Sequence, residues 1–226
     1  MLRKLSDVAA IAFDVDGTLI DSNGAHAEAW ARALTEHGFP HSPALVRPLI
    51  GTGSDKLIPA ATGLDADSPE GEAILARKKE LFAARLPHLQ PTRGARPLLE
   101  FLWRLGLTLV IATSADDQEM DAILGQAGVA DLIQRRASSD DAARSKPDPD
   151  IVHAALVRAR MSPQETVLIG DTPYDVEAAE RAGVYAVALR CGGWWHDRDL
   201  AGAMAIFDDP ETLLEYWRQR QSSSFM

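Results

Sequence analysis

Val8-Ala9-Ala10-Ile11-Ala12-Phe13 runs without a break into Asp14-Val15-Asp16-Gly17-Thr18-Leu19. A short apolar run bounded by Asp and Gly reads as a strand buried on both faces, and the Asp-x-Asp-Gly after it as the turn at its carboxyl end. In an extended strand, residues two apart share a side, so a turn that begins at Asp16 aims the two carboxylates differently. One can then attack an electrophile while the other moves protons.

Outward from this stretch, apolar runs recur at residues 107–112, 166–169, 184–189 and, more weakly, 203–207. Helical periodicity fills residues 96–105, 119–127, 149–160, 176–182 and 211–220. Strands alternating with helices predict an α/β fold with a doubly wound, Rossmann-like parallel sheet. The alternation stops between residues 20 and 90, where helical stretches at 25–37, 43–50, 55–61 and 70–86 predict an inserted α-helical cap. The expected division is an α/β core of residues 1–19 and 91–226 and a cap of residues 20–90, with hinges at Asp21-Ser22-Asn23-Gly24 and at residues 87–94. Ser222-Ser223-Ser224 reads as a frayed tail.

Composition narrows the partners. With 33 acidic and 23 basic side chains the net charge is −10, which argues against nucleic acid and anionic membrane surfaces as ligands. An anionic substrate needs local compensation from a cation, a helix N-terminus or a placed Lys. The single cysteine, Cys191, excludes an intramolecular disulfide and any multi-Cys zinc site. No activating base stands beside it in sequence, and it reads as inert. The run at residues 8–13 is too short for a signal-peptide core or a membrane span. The expectation is a cytoplasmic protein, a monomer or weak homodimer.

Ligands of open α/β sheets bind beyond the carboxyl ends of the strands. There the chain carries Asp14 and Asp16, then Thr113-Ser114-Ala115-Asp116, then Gly170-Asp171-Thr172-Pro173-Tyr174-Asp175, with Ser145-Lys146-Pro147-Asp148-Pro149 entering a helix. Carboxylates, hydroxyls and one ammonium at one sheet edge suit Mg2+ together with a phosphate.

In order and spacing these segments resemble the four motifs of the haloacid dehalogenase superfamily. Asp14 to Leu19 is similar to the first, Thr113-Ser114 to the second, Lys146 to Pro149 to the third and Gly170 to Asp175 to the fourth. The resemblance implies Asp14 as nucleophile and Mg2+ ligand, and Asp16 as general acid/base with its backbone carbonyl on the metal. It implies Thr113, Ser114 and Lys146 as phosphoryl holders, Asp171 as a further metal ligand, and Asp175 as the residue orienting Lys146 or metal-bound water. The helical insertion resembles the cap of the phosphoglycolate phosphatase and β-phosphoglucomutase branch. The implied activity is Mg2+-dependent hydrolysis of a small phosphate monoester through an aspartyl-phosphate.

The cap supplies the candidates for substrate contact. His26 and Trp30 resemble a segment of sugar-phosphate members, and the same two residues, four apart on one helical face, could equally pack the cap core. Gly51 to Lys56, with Thr52 and Lys56 as its polar side chains, resembles the family's substrate-touching cap loop, and also reads as a turn capping the next helix. Arg77-Lys78-Lys79 reads first as a solvated helix face, from which Lys78 or Lys79 could still reach the cleft. Gly192 to His196 follows a strand and could line the cleft mouth or cover the core edge.

Three other readings compete. A phosphosugar mutase shares the covalent chemistry, but mutases of this type carry an Arg in the cap loop, and residues 51–57 contain none. A dehalogenase needs no metal and lacks the second carboxylate that Asp16 supplies. A non-catalytic sensor would be expected to have lost Asp14 or Asp16.

Overall fold

The computed structural model describes residues 7–223. Residues 1–6, at the amino end of the segment weighed as a possible leader, lie outside the described residues, as does Ser224 of the expected tail.

Six strands form one parallel sheet: β1 (Ala10–Phe13), β2 (Thr108–Ala112), β3 (Arg135–Ala137), β4 (Thr166–Gly170), β5 (Tyr185–Leu189) and β6 (Ala205–Phe207). The order is β3-β2-β1-β4-β5-β6. Phe13 pairs with Ile111 on one side and Ile169 on the other, so β1, β2 and β4 end level with one another. All four residues of β1 are buried, as a central parallel strand covered on both faces requires.

The side-chain period of two divides the core. Ile11, Phe13, Leu109, Ile111, Val167 and Ile169 face one layer, built with helices α5 (Ala95–Arg104), α6 (Asp117–Gln126) and α9 (Pro210–Ser223). Ala10, Ala12, Val110, Ala112 and Leu168 face the other, under α7 (Asp150–Ala159) and α8 (Pro173–Arg181). Ala95, Leu98, Leu99 and Leu102 show how α5 docks: apolar residues at helical spacing make one buried stripe.

Between β1 and β2 lie α1 (Asn23–Glu36), α2 (Pro43–Val46), α3 (Ser54–Thr62) and α4 (Pro69–Ala83). They enclose a small core of their own, in which Trp30, Leu34, Val46, Leu57, Ile58 and Ile74 are buried. Ser68 starts α4 by accepting the Gly71 N–H, ahead of Pro69 at the first helical position. The helix expected over residues 43–50 stops at Val46, and Arg47–Leu49 tightens into a 3-10 turn. Pro48 has no N–H to continue the α ladder, although Arg47 before it keeps α geometry. Among the described residues no helix is long and apolar enough to cross a membrane.

Two sequence expectations are corrected. β3 was not anticipated: its Arg135-Arg136-Ala137 has an exposed, half-buried, buried pattern that carries no apolar signal at a sheet edge. Ser222 and Ser223, expected to fray, continue α9.

Candidate active site

The level ends of β1, β2 and β4 bring Asp14, Thr113 and Asp171 to one edge of the sheet. The backbone N–H of Asp14 still donates to Ile169 O at 2.9 Å, so Asp14 extends its strand and its carboxylate stands at the strand tip. Lys146, fully buried, donates to Asp14 Oδ1 and to Asp175 Oδ1, each at 2.6 Å. Asp175 is itself fixed by the capping box of α8: its Oδ2 accepts from Thr172 N–H at 3.0 Å and from Thr172 Oγ1 at 2.7 Å. Thr18 Oγ1 lies 3.2 Å from Asp171 Oδ1, to which it donates.

Asp14, Asp171 and Asp175 are all buried and each offers an oxygen within 4.8 Å of the others. Burying such a group is costly unless protons or cations offset its charge. The titration behaviour says the same. Burial lifts the Asp14 carboxyl, Lys146 opposes it, and Asp175 and Asp16 raise it further, leaving it at about 7. Burial, then Asp14 and Asp175, push Asp171 well above the usual carboxylate range. For Lys146, burial alone would favour loss of the proton, but Asp14 and Asp175 outweigh it and hold the ammonium charged. One ammonium among three carboxylates leaves uncompensated negative charge, and an all-oxygen donor set suits a hard divalent cation.

A buried polar atom without a partner points the same way. Asn23, at the first position of α1 and 5 % exposed, donates through Nδ2 to Asp171 Oδ2 at 2.8 Å and to Gly192 O at 3.3 Å. Its Oδ1 is buried and accepts nothing from the described residues. An orphaned acceptor beside a carboxylate cluster suits a metal-bound water as its donor. Two glycines make the room: a Cβ on Gly17, whose φ is +74°, would stand 2.3 Å from Asn23 Nδ2 and from Asp171 Oδ2, and one on Gly192 would stand 1.8 Å from Asp171 Oδ2.

Asp16 is aimed elsewhere, as its turn position suggested. Its Oδ1 accepts from Ser22 Oγ at 2.5 Å and lies 2.8 Å from His26 Nε2. Burial alone would raise this carboxyl, yet His26, Ser22 and Lys78 together hold it down at about 2. Its side chain therefore lies outside the carboxylate cluster, where Asp175 stands instead. His26 stacks on Phe82 with ring centroids 3.8 Å apart, which fixes the imidazole plane.

Above these groups a cavity of about 250 Å3 opens between sheet edge and cap. Asp14, Asp16, His26, Trp30, Thr52, Thr113 and Ser114 line it. Lys56 does not: its ammonium is clasped by Asp148 on the third candidate segment. The reading of residues 77–79 as a solvated face holds for Arg77, which pairs with Glu36 and Glu80 at the surface. It fails for Lys78, which is 5 % exposed, lines the cavity and donates to Glu119 at 2.8 and 3.1 Å. Sequence reasoning also passed over Asn23, read only as part of a hinge, and Glu119. Trp194 and Trp195 lie outside the cavity. Arg47 sits 5.3 Å over the Trp194 ring, and Trp195 meets Tyr174 edge-on. Tyr174 in turn donates to Pro48 O at 2.6 Å, tying α8 to the cap. Cys191 Sγ donates to Gly17 O at 3.1 Å, and burial, with Asp171 nearby, pushes its thiol upward.

Residues 11–189 match the family model of the haloacid dehalogenase-like hydrolases. The chain belongs to this family. Over 223 residues it is 31 % identical to a phosphoglycolate phosphatase of Vibrio cholerae, covering 93 % of this chain and 97 % of that protein. It is 29 % identical to the N-acetylmuramic acid 6-phosphate phosphatase of Pseudomonas aeruginosa, with 94 % and 96 % covered. Among solved structures, a hydrolase from Pseudomonas syringae superposes with a TM-score of 0.86 at 26 % identity, over 94 % of this chain and 98 % of that one. The parallel sheet with its helical insertion is the fold of these haloacid dehalogenase-like hydrolases. The protein is an enzyme grouped with the family's phosphatases.

Proposed function

We propose that this haloacid dehalogenase-like hydrolase is a Mg2+-dependent phosphatase that transfers the phosphoryl group of a small monoester, of the sugar phosphate or phosphoglycolate kind, to Asp14 and then to water. The observation that carries the reading is the division of labour between two carboxylates of one turn. Asp14 stands among buried carboxylates beside Lys146, and Asp16 is held apart on Ser22 and His26.

Asp14, Asp171 and the backbone carbonyl of Asp16 would hold the metal, with Asp175 steadying Lys146. When bound, Mg2+ offsets the carboxylates and the phosphoryl oxygens so that both can share the site. Thr113 and Ser114, directly after β2, and Lys146 hold the phosphoryl oxygens. Asp14 attacks phosphorus through a carboxylate oxygen, and the bond to the leaving oxygen breaks. The proton shared by Asp16 and His26 passes to that oxygen, releasing a neutral alcohol. In the second half, a water attacks phosphorus, its proton returns to the Asp16–His26 pair, and the bond to Asp14 breaks to give inorganic phosphate. Donors, acceptors and charge are restored after one turnover.

The mutase alternative requires a cap cation for a second phosphate. The cap loop contributes Gly51, Thr52, Gly53 and Ser54 to the cavity, none of them cationic, Arg47 is engaged with Trp194, and the cap cations that do line the cavity, Lys78 and Lys79, are already paired with Glu119 and Asp116. Hydrolysis is the reading these groups support.

The test is release of inorganic phosphate from a panel of monoesters with and without Mg2+. Metal-dependent release abolished by Asp14→Asn is expected, and release that survives the substitution would contradict the reading.

A further inference from the structure

The cavity walls beyond the phosphoryl site carry a charge pattern that bears on the leaving group. The cations there are Lys78, Lys79 and His26, and each already has a carboxylate partner. Lys78 holds Glu119 through both oxygens, Lys79 holds Asp116, and His26 holds Asp16. Asp140 also faces the cavity and forms no ion pair among the described residues. Two ammonium groups thus meet three carboxylates on a wall with no uncommitted cation.

The Lys78–Glu119 pair is nearly dry, with side-chain exposures of 7 % and 12 %. A carboxylate or second phosphate on the substrate could engage Lys78 only by displacing Glu119, which would strand a buried charge. An uncharged hydroxyl needs no displacement. It can donate to the outer lone pairs of Glu119, Asp116 or Asp140 while the ion pairs stay intact. Trp30, Ile50 and Leu75 add an apolar patch to the same cavity, which suits the C–H face of a polyol or sugar ring. Size agrees: at about 30 Å3 per water, a cavity of about 250 Å3 is larger than a two-carbon leaving group fills.

Resting on the phosphatase reading above, we propose that the substrate's leaving group is an uncharged, hydroxyl-rich polyol or sugar, and that Glu119, by occupying Lys78, excludes carboxylated esters. Lys78 bridges from α4 to Glu119 on α6, so the discrimination is built where cap meets core.

The experiment compares matched esters on the Mg2+-loaded full chain: glycerol 3-phosphate against 3-phosphoglycerate, and glucitol 6-phosphate against 6-phosphogluconate. Within each pair the main difference is a carboxylate in place of an uncharged group. The expected result is kcat/KM at least about tenfold higher for the neutral member, roughly the discrimination available from one unfavourable charge contact. Glu119→Gln keeps the shape and frees Lys78, so the ratio is expected to fall about tenfold or reverse. Asp116→Asn, which preserves the helix cap and frees Lys79, is the second variant should the first fail to fold, and a fall in the same direction is expected. Equal or better turnover of the carboxylated members by the unaltered enzyme would overturn the inference while leaving the phosphatase reading standing. So would a ratio that neither variant moves. Hydrolysis of none of the four esters would overturn both.

Discussion

His26 Nε2 lies 2.8 Å from Asp16 Oδ1, joining the first helix of the cap to the turn that follows the first strand of the core. The imidazole cannot drift, because Phe82 stacks on its face. In the proposed mechanism this pair carries the proton that Asp16 exchanges with the leaving group and with water. Replacing His26 by Ala is therefore expected to lower kcat by about 100-fold, within the range for a general acid–base contribution, with a smaller effect on KM. Steady-state kinetics across pH would check this, and an unchanged kcat would separate His26 from proton transfer.

Asn23 donates to Asp171 Oδ2 while its own Oδ1 accepts nothing from the described residues. Asn23→Ala removes the group that orients this carboxylate. Mg2+ affinity is expected to fall about 10- to 100-fold, the usual cost of losing an outer partner of a metal ligand, with kcat at saturating Mg2+ largely retained. Calorimetric titration of Mg2+ into the metal-free protein would read the affinity directly. Equal affinities for variant and parent would show that Asn23 only closes the hinge.

Gly17 admits no side chain on two counts, its φ of +74° and the 2.3 Å approach to Asn23 and Asp171. Gly17→Ala is expected to destabilise the fold by about 1–3 kcal/mol. For a domain of this size that is a drop in Tm of roughly 2–4 °C per kcal/mol. A melt that matches the parent would mean the turn relaxes freely.

The raised Asp14 carboxyl fixes the sign of a pH effect. Its folded pKa of about 7 lies above the unfolded value of about 4, so the folded, metal-free protein binds the extra proton. That contribution to stability is complete below about pH 4 and is lost as pH rises through the folded value. A divalent cation competes with the proton and relieves repulsion in the deprotonated cluster. The gain in Tm on replacing EDTA by Mg2+ is thus expected to grow between about pH 5 and pH 8. Thermal melts over that range would test it, and a gain that shrinks with pH would contradict the placement of the metal.

Much of this arrangement was legible from local pattern, and the rest was hidden for physical reasons. Strands β1, β2 and β5 lie within the expected apolar runs, and β4 passes its run by one residue, because central parallel strands must be apolar on both faces. β3 escaped because an edge strand with only Ala137 buried needs no apolar run. Three of the four motif segments meet because β1, β2 and β4 end level, as the alternation of elements implied, and the Lys146 segment joins them through its ammonium on Asp14 and Asp175. For residues 77–79 a run of three basic residues read first as a solvated face, with Lys78 or Lys79 left able to reach the cleft, and Lys78 does reach it. Its partner Glu119, 41 positions away, is a neighbour only once the cap is folded against the core. Asn23 looked like a turn residue, and its role depends on Asp171, 148 positions distant. Lys56 had the right chemistry and the right loop, yet Asp148 lay closer than the cavity.

The reading of Asp14 as nucleophile can be examined on the protein itself. The enzyme with Mg2+ would be mixed with a turned-over monoester, quenched in acid within the first turnover, digested and analysed by mass spectrometry. A peptide containing Asp14 heavier by one phosphoryl group is expected, with the modification absent from the Asp14→Asn protein. Rapid phosphate release with no phosphorylated peptide at any quench time, or phosphorylation at another residue, would contradict it.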